Sequence, residues 1–111
     1  LISPATYNFT IYQGATFDRV FQFNDANGDP LATSGWSARM QVRSSIETAT
    51  TLLSLTPSIN STGLVTLALT ATQTTALPGD VVAVYDLELV DGTDVHRVLM
   101  GTVTISGEVT R

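Results

Sequence analysis

The sequence predicts an all-β fold, an immunoglobulin-like antiparallel β-sandwich of about seven strands with one short helical turn, and three observations predict it. Short apolar/polar runs of period two recur along the chain, turn residues punctuate them at roughly 8–15-residue spacing, and a single Trp opens the third run, where such sandwiches often seat a large core residue. The 111 residues make a single sandwich domain, 1–111, able to bury roughly 65% of the surface of the unfolded chain. With no Cys, it must hold by burial and ladder hydrogen bonds alone.

Tyr7, Phe9 and Ile11 alternate with Asn8 and Thr10, a half-buried first strand that Gln13-Gly14 breaks. In the second, from Thr16 to Asn24, Phe17, Phe21 and Phe23 share one parity with Arg19 between them while Val20 takes the other, so a bulge near Arg19 is expected. Asn27-Gly28 centres a tight turn that Pro30 closes. The third strand has the cleanest alternation: Trp36, Ala38, Met40 and Val42 against Ser37, Arg39, Gln41 and Arg43.

The stretch from Ser44 to Thr51 reads as an exposed excursion, Leu52 to Thr56 as a short strand stopped by Pro57, and Asn60 to Gly63 as a turn. Val65, Leu67 and Leu69 mark the fifth strand. Thr70 and Gln73 are spaced as a capping box, which predicts one helical turn before Pro78-Gly79. Ala83, Tyr85, Leu87 and Leu89 mark the sixth strand, closed by Asp91-Gly92, and the seventh runs from Asp94 to about Ser106. There Leu99, Val103 and Ile105 share one face and Val98 and Met100 the other, so either Gly101 bulges or the strand is apolar on both sides and offers a contact surface. The expected core is Phe9, Phe21, Phe23, Trp36, Met40, Leu67, Tyr85, Leu87 and Val103.

Net charge is -5 and all five basic residues are Arg, with no Lys. An acidic surface repels phosphate backbones, so nucleic acid is not an expected partner. The apolar runs are too short to span a bilayer as helices and no signal-peptide pattern follows Leu1, so no membrane partner is expected either. The chain begins at Leu1 and not at Met, compatible with an upstream start residue or segment. Absence of Lys with 14% charged and 43% hydrophobic residues suits a surface that meets other protein.

Candidate chemistry is sparse. Asp25, Asn27 and Asp29 open like a calcium loop, but Pro30 stands where that loop needs Gly and Trp36 where it needs Glu, so a plain hairpin turn is expected. His96 is the only imidazole, short of the convergent ligands or triad partners that metal or nucleophilic chemistry demands, and reads as an exposed strand residue. Asp86 and Glu88 project from one face and are expected to pair with Arg97 or Arg39. Asn8-Phe9-Thr10 and Asn60-Ser61-Thr62 match glycosylation sequons without the secretory context that would use them. No enzyme, no catalytic residue, no metal and no cofactor is expected. The expected interface residues are Val98, Met100, Val109 and Arg111, on the last strand and tail.

The segment Tyr7 to Phe23, then Asn27 to Leu31 and Trp36 to Arg43, resembles small virion structural proteins of tailed bacteriophages, including cyanophages. Gly63 to Leu67, Thr72 to Leu77, Tyr85 to Leu89 and Gly101 to Arg111 are similar to the same proteins. Thr33-Ser34-Gly35, in place of the more usual Leu-Thr-Gly, and the longer turn at Asp80 to Ala83 depart from the pattern. The resemblance implies a virion protein assembled in the host cytoplasm, an assembly or adaptor module of tail, baseplate or neck that attaches a fibre or stabilises a ring. Its partners would be tail, baseplate, neck or capsid subunits and further copies of itself, as a homo-oligomer or symmetric ring. Capsid decoration, or carbohydrate binding during host adsorption through an exposed Tyr7 or Tyr12, is the alternative.

Overall fold

The computed structural model describes residues 4–45 and 51–108. In chain order these form β1 (Ala5–Thr6), β2 (Phe9–Tyr12), β3 (Phe17–Gln22), β4 (Ser37–Arg43), β5 (Thr51–Leu55), β6 (Ser58–Ile59), β7 (Leu64–Leu69), α1 (Ala71–Thr75), β8 (Val81–Asp91) and β9 (Asp94–Ser106). A large sheet has the order β1-β9-β8-β4-β5, with β2 also on β9, and a small one the order β3-β7-β6. This is an all-β sandwich whose strands alternate between sheets in the immunoglobulin-like manner. Two strands exceed the expected seven because Ala5–Thr6 and Ser58–Ile59 are two residues each, too short to show a period.

The pairing is antiparallel with one exception. β1 and β2 run parallel to β9, with Ala5 opposite Leu99 and Phe9 opposite Val103. They are one edge strand interrupted at Tyr7-Asn8, and they cover the side of β9 that faces away from β8. At the interruption Asn8 Oδ1 accepts the amide of Thr102 at 2.9 Å and the Tyr85 hydroxyl donates to the Tyr7 carbonyl at 2.6 Å. The backbone comes so near Gly101 that a β-carbon there would collide with the Tyr7 carbonyl oxygen and lie 2.6 Å from Asn8 Oδ1. Gly101 therefore marks a close backbone approach and not a bulge.

The bulge lies three residues earlier. Leu87 pairs with Leu99 and Glu88 with Arg97, which leaves Val98 as the extra residue. One inserted residue lets two adjacent apolar side chains turn inward, and Val98 and Leu99 are both buried, at 3% and 6% exposure. Both expected alternatives, a bulge at Gly101 and a strand apolar on both sides, are thereby corrected: Val98 belongs to the core and Met100 alone of the pair faces out. The expected bulge near Arg19 is also absent, because β3 pairs with β7 in unbroken register from Phe17↔Leu69 to Gln22↔Leu64. Val20 is simply exposed on the outer side. Arg19 turns inward, with its guanidinium 5.0 Å from the Phe17 ring centroid, a cation–π placement.

The core between the sheets joins Phe9, Ile11 and Phe17 to Met40, Val42, Leu67, Leu69, Tyr85, Leu87, Leu89, Val103 and Ile105. Six of the nine expected core residues are buried. Phe21, Phe23 and Trp36 are only half-buried against it, since β3 is an edge of the small sheet and Phe23 and Trp36 lie beyond strand ends, at the rim.

Two buried threonines fasten the loops. Thr33 Oγ1 donates to the Asn60 carbonyl at 2.7 Å and accepts the Gly63 amide at 2.9 Å. Thr74 Oγ1 donates to the Ala15 carbonyl at 2.8 Å and accepts the Gly14 amide at 3.1 Å. Helix α1 starts with the expected capping box, Gln73 N–H to Thr70 Oγ1 and Thr70 N–H to Gln73 Oε1, which satisfies two of the donors at the start of the helix.

Candidate functional site

Strand periodicity fixes what the large sheet presents to the outside. Inward Ala83, Tyr85, Leu87 and Leu89 on β8 leave Val82, Val84, Asp86, Glu88 and Val90 outward, and pairing extends each of these into a row across the sheet. Val84 lies between Arg43 and Thr102, Asp86 between Gln41 and Met100, and Glu88 between Arg39 and Arg97; Val90 lies between Ser37 and Val95. On β2, Tyr12 opposite Ser106 has the same outward parity.

The resulting face is banded. Across its middle run two ion pairs, Arg39–Glu88 at 2.7 Å and Arg97–Asp86 at 3.4 Å, the cross-strand pairing that parity predicts. Exposed pairs of this kind contribute at most about 1 kcal/mol each. Apolar residues flank the belt on both sides: Tyr12, Val82 and Val84 toward one end, Val90 and Val95 toward the other. Among the described residues the large hydrophobics left exposed are Tyr12, Val20, Val82, Val95 and Met100; all but Val20 are on this face. A shallow depression of about 490 Å³ overlaps the belt, lined by Arg43, Val84, Asp86, Arg97, Met100 and Thr102 among others. Its lining mixes apolar Val84 and Met100 with the guanidinium groups of Arg43 and Arg97 and the carboxylates of Asp86 and Glu88, a composition that suits contact with protein surface.

The other candidates are each occupied by local structure. Asp25 Oδ1 accepts the amides of Asn27 at 2.9 Å and Asp29 at 3.1 Å, which makes it the acceptor of a turn. His96 is not the exposed residue expected: it is half-buried, and its ring stacks on Trp36 with centroids 5.5 Å apart and planes 23° from parallel. It lies on the inner side because it pairs with buried Leu89. The sequon asparagines are also engaged: Asn8 accepts from Thr102, and Asn60 Oδ1 accepts the amides of Thr62 and Leu64, each at 2.9 Å. Among the described residues no group of three or more His, Cys, Asp or Glu side chains could hold a metal ion, and no helix is long and apolar enough to cross a membrane.

Of the expected interface residues, Met100 is exposed on the banded face, Val98 is buried and so offers no contact surface, and Val109 and Arg111 lie outside the described residues. Tyr12, Val82 and Val95 are the additions. Their signal was legible in the parity of Val82 and Val84 against Ala83 and Tyr85, but Tyr12 joins them only through the parallel pairing of β2 with β9. Neither protein-family models nor curated proteins match this chain, so the face is read on its own chemistry.

Proposed function

We propose that this chain is a non-enzymatic assembly module of a bacteriophage particle, built into tail, baseplate or neck, and that the outer face of its large sheet is the surface it assembles through. The observation that carries this reading is the gathering of Tyr12, Val82, Val95 and Met100 on one face. Apolar side chains scattered singly over a surface need no explanation, whereas their concentration on one face, on both sides of a belt of paired charges, favours a contact region. The resemblance of Tyr7 to Phe23 and of the later strands to small virion structural proteins supplies the setting. A rigid sandwich with an outward sheet face suits repeated, symmetric contacts.

The test is where the chain resides. Quantitative mass spectrometry of purified particles, and of tails and capsids separated from them, should find it with the tail, baseplate or neck fraction. Recovery with capsids alone would replace the tail reading by capsid decoration. Absence from purified particles would overturn assembly altogether.

A further inference from the structure

We infer that the free edge of β3 is a docking site for an extended segment of a partner protein, which adds antiparallel to the small sheet and brings a carboxylate to Arg19. This edge belongs to the small sheet and owes nothing to the banded face.

The edge is open. β3 ends the order β3-β7-β6, so one of its sides has no strand beside it. Phe23 N–H donates to the Gly63 carbonyl at 2.9 Å, and these two residues continue the register of Phe21↔Val65 and Gln22↔Leu64. In an antiparallel pair every second residue turns both its main-chain groups to the same neighbour. Phe17, Arg19 and Phe21 therefore bond to β7, and the N–H and C=O groups of Asp18, Val20 and Gln22 point to the open side, where an added strand can take them up.

Arg19 makes the edge selective. It is half-buried on the inner side of β3, between Phe17 and Phe21, with its guanidinium over the Phe17 ring. Among the described residues Arg39 and Arg97 sit in ion pairs, and Arg43 Nη2 donates to Gln41 at 2.8 Å. Arg19 alone of these arginines has no acceptor, and its Nε is buried without one. A buried donor left unmatched is rare and costly, and a guanidinium is a fork of donors whose geometry matches a carboxylate. An inward charge on an edge strand also turns away indiscriminate pairing. An apolar strand laid against β3 would bury the Arg19 charge unpaired, whereas one with Glu or Asp opposite Arg19 converts that repulsion into attraction. Arg19 would face the added strand in a pair without mutual hydrogen bonds, where opposing side chains come closest, with Cα atoms about 4.5 Å apart.

Neighbouring positions set the rest of the pattern. Phe21 is only half-buried, although its ring packs edge-on against Tyr7 with centroids 5.3 Å apart, because no strand among the described residues covers its open side. The inward positions beside the carboxylate are therefore apolar. Those opposite exposed Asp18, Val20 and Gln22 are polar. The chain's net charge of -5 opposes a generally acidic partner, so the match is a single carboxylate within an otherwise neutral strand.

The experiment titrates a synthetic peptide, Thr-Thr-Val-Thr-Glu-Thr-Val-Thr-Thr, into isotope-labelled chain followed by NMR, with peptides carrying Gln or Lys in place of Glu for comparison. The expected result is movement of the Asp18, Val20 and Gln22 amide signals and an affinity at least tenfold higher for the Glu peptide than for the Gln peptide. Arg19→Gln should remove that preference, and Arg19→Glu should reverse it toward the Lys peptide. Val20→Asp changes only an outward side chain and should bind as the wild type does. Methylating the peptide's backbone nitrogens should abolish binding with the chain itself untouched, so the peptide series on wild-type chain decides the matter even where an Arg19 variant fails to fold. No response to millimolar Glu peptide, equal affinity for the Glu and Gln peptides, or signal changes confined to the outer face of the large sheet would each overturn the inference. Sedimentation velocity that finds wild-type chains joined through β3 without peptide would also overturn it, because a second copy would then hold the edge.

Discussion

The Tyr85 hydroxyl donates a 2.6 Å hydrogen bond to the carbonyl oxygen of Tyr7, a residue 78 positions earlier. It does so where the first edge strand breaks, so a single phenol ties the start of the chain to the middle of the large sheet. Tyr85 is 5% exposed, and its ring packs edge-on against Phe9 with centroids 4.9 Å apart.

Tyr85→Phe should cost about 1–2 kcal/mol by leaving the Tyr7 carbonyl short of a partner. Burial, and secondarily the nearby Tyr7 phenol, push the Tyr85 phenol from its ordinary 10.0 up to about 12. The unfolded chain therefore gives up this proton at lower pH than the folded one. The stability Tyr85 contributes is complete below the unfolded value and is lost as pH rises through the folded value of about 12. Melting temperatures of wild type and Tyr85→Phe, compared from neutral pH upward, should differ by a constant amount until pH reaches about 10 and converge above it. A gap that persists or widens in strong base would remove this role from Tyr85.

Gly101→Ala should destabilise by about 1–3 kcal/mol, the usual range for overpacking, because its β-carbon meets the Tyr7 carbonyl and Asn8 Oδ1. Asn8→Ala removes the acceptor of the Thr102 amide and should cost about 1 kcal/mol. Denaturant midpoints measure both, and hydrogen exchange at Tyr7, whose amide donates to the Met100 carbonyl at 2.9 Å, should speed up in each. Unchanged exchange would mean that β1 and β2 are held by something other than this crossing.

Trp36→Ala should cost about 1–3 kcal/mol, less than the roughly 3–5 kcal/mol of a fully buried Trp, because Trp36 is half-buried and capped by His96. Leu89→Ala, at 0% exposure, should cost about 2–5 kcal/mol. Thermal melts of the two variants side by side check the order. A Trp36 variant less stable than the Leu89 variant would put the centre of the core at the rim.

Millimolar calcium should leave the melting temperature unchanged, since Asp25 Oδ1 already accepts two amides of its own turn. A calcium-dependent rise that disappears in Asp25→Ala/Asp29→Ala would show that the turn opens to bind a cation.

The strands most readable in the sequence are those whose two sides differ in polarity. On β4, Ala38, Met40 and Val42 alternate with Ser37, Arg39 and Gln41, and the structure buries that set. Local hydrogen bonding was equally legible at Thr70 and Gln73, because a capping box closes within four residues. Two features were not legible, for different reasons. The Val98 bulge leaves no mark in period two, since adjacent Val98 and Leu99 fit a bulge and a two-sided apolar strand equally well. The parallel pairing of β2 with β9 joins residues about ninety positions apart, Phe9 with Val103 among them, and nothing local specifies it. Because Tyr12 reaches the banded face through that pairing, the candidate site was only half visible before the topology was known.

The most direct measurement of whether the outer face of the large sheet is the assembly surface is the amount of chain recovered in purified particles. Val84→Asp/Met100→Asp, which makes the face acidic, should be missing from particles, while Val20→Asp on the small sheet should be recovered at the wild-type level, with both variants melting cooperatively near the wild-type temperature. Recovery of the Val84→Asp/Met100→Asp chain at the wild-type level, still folded, would contradict the assignment of this face.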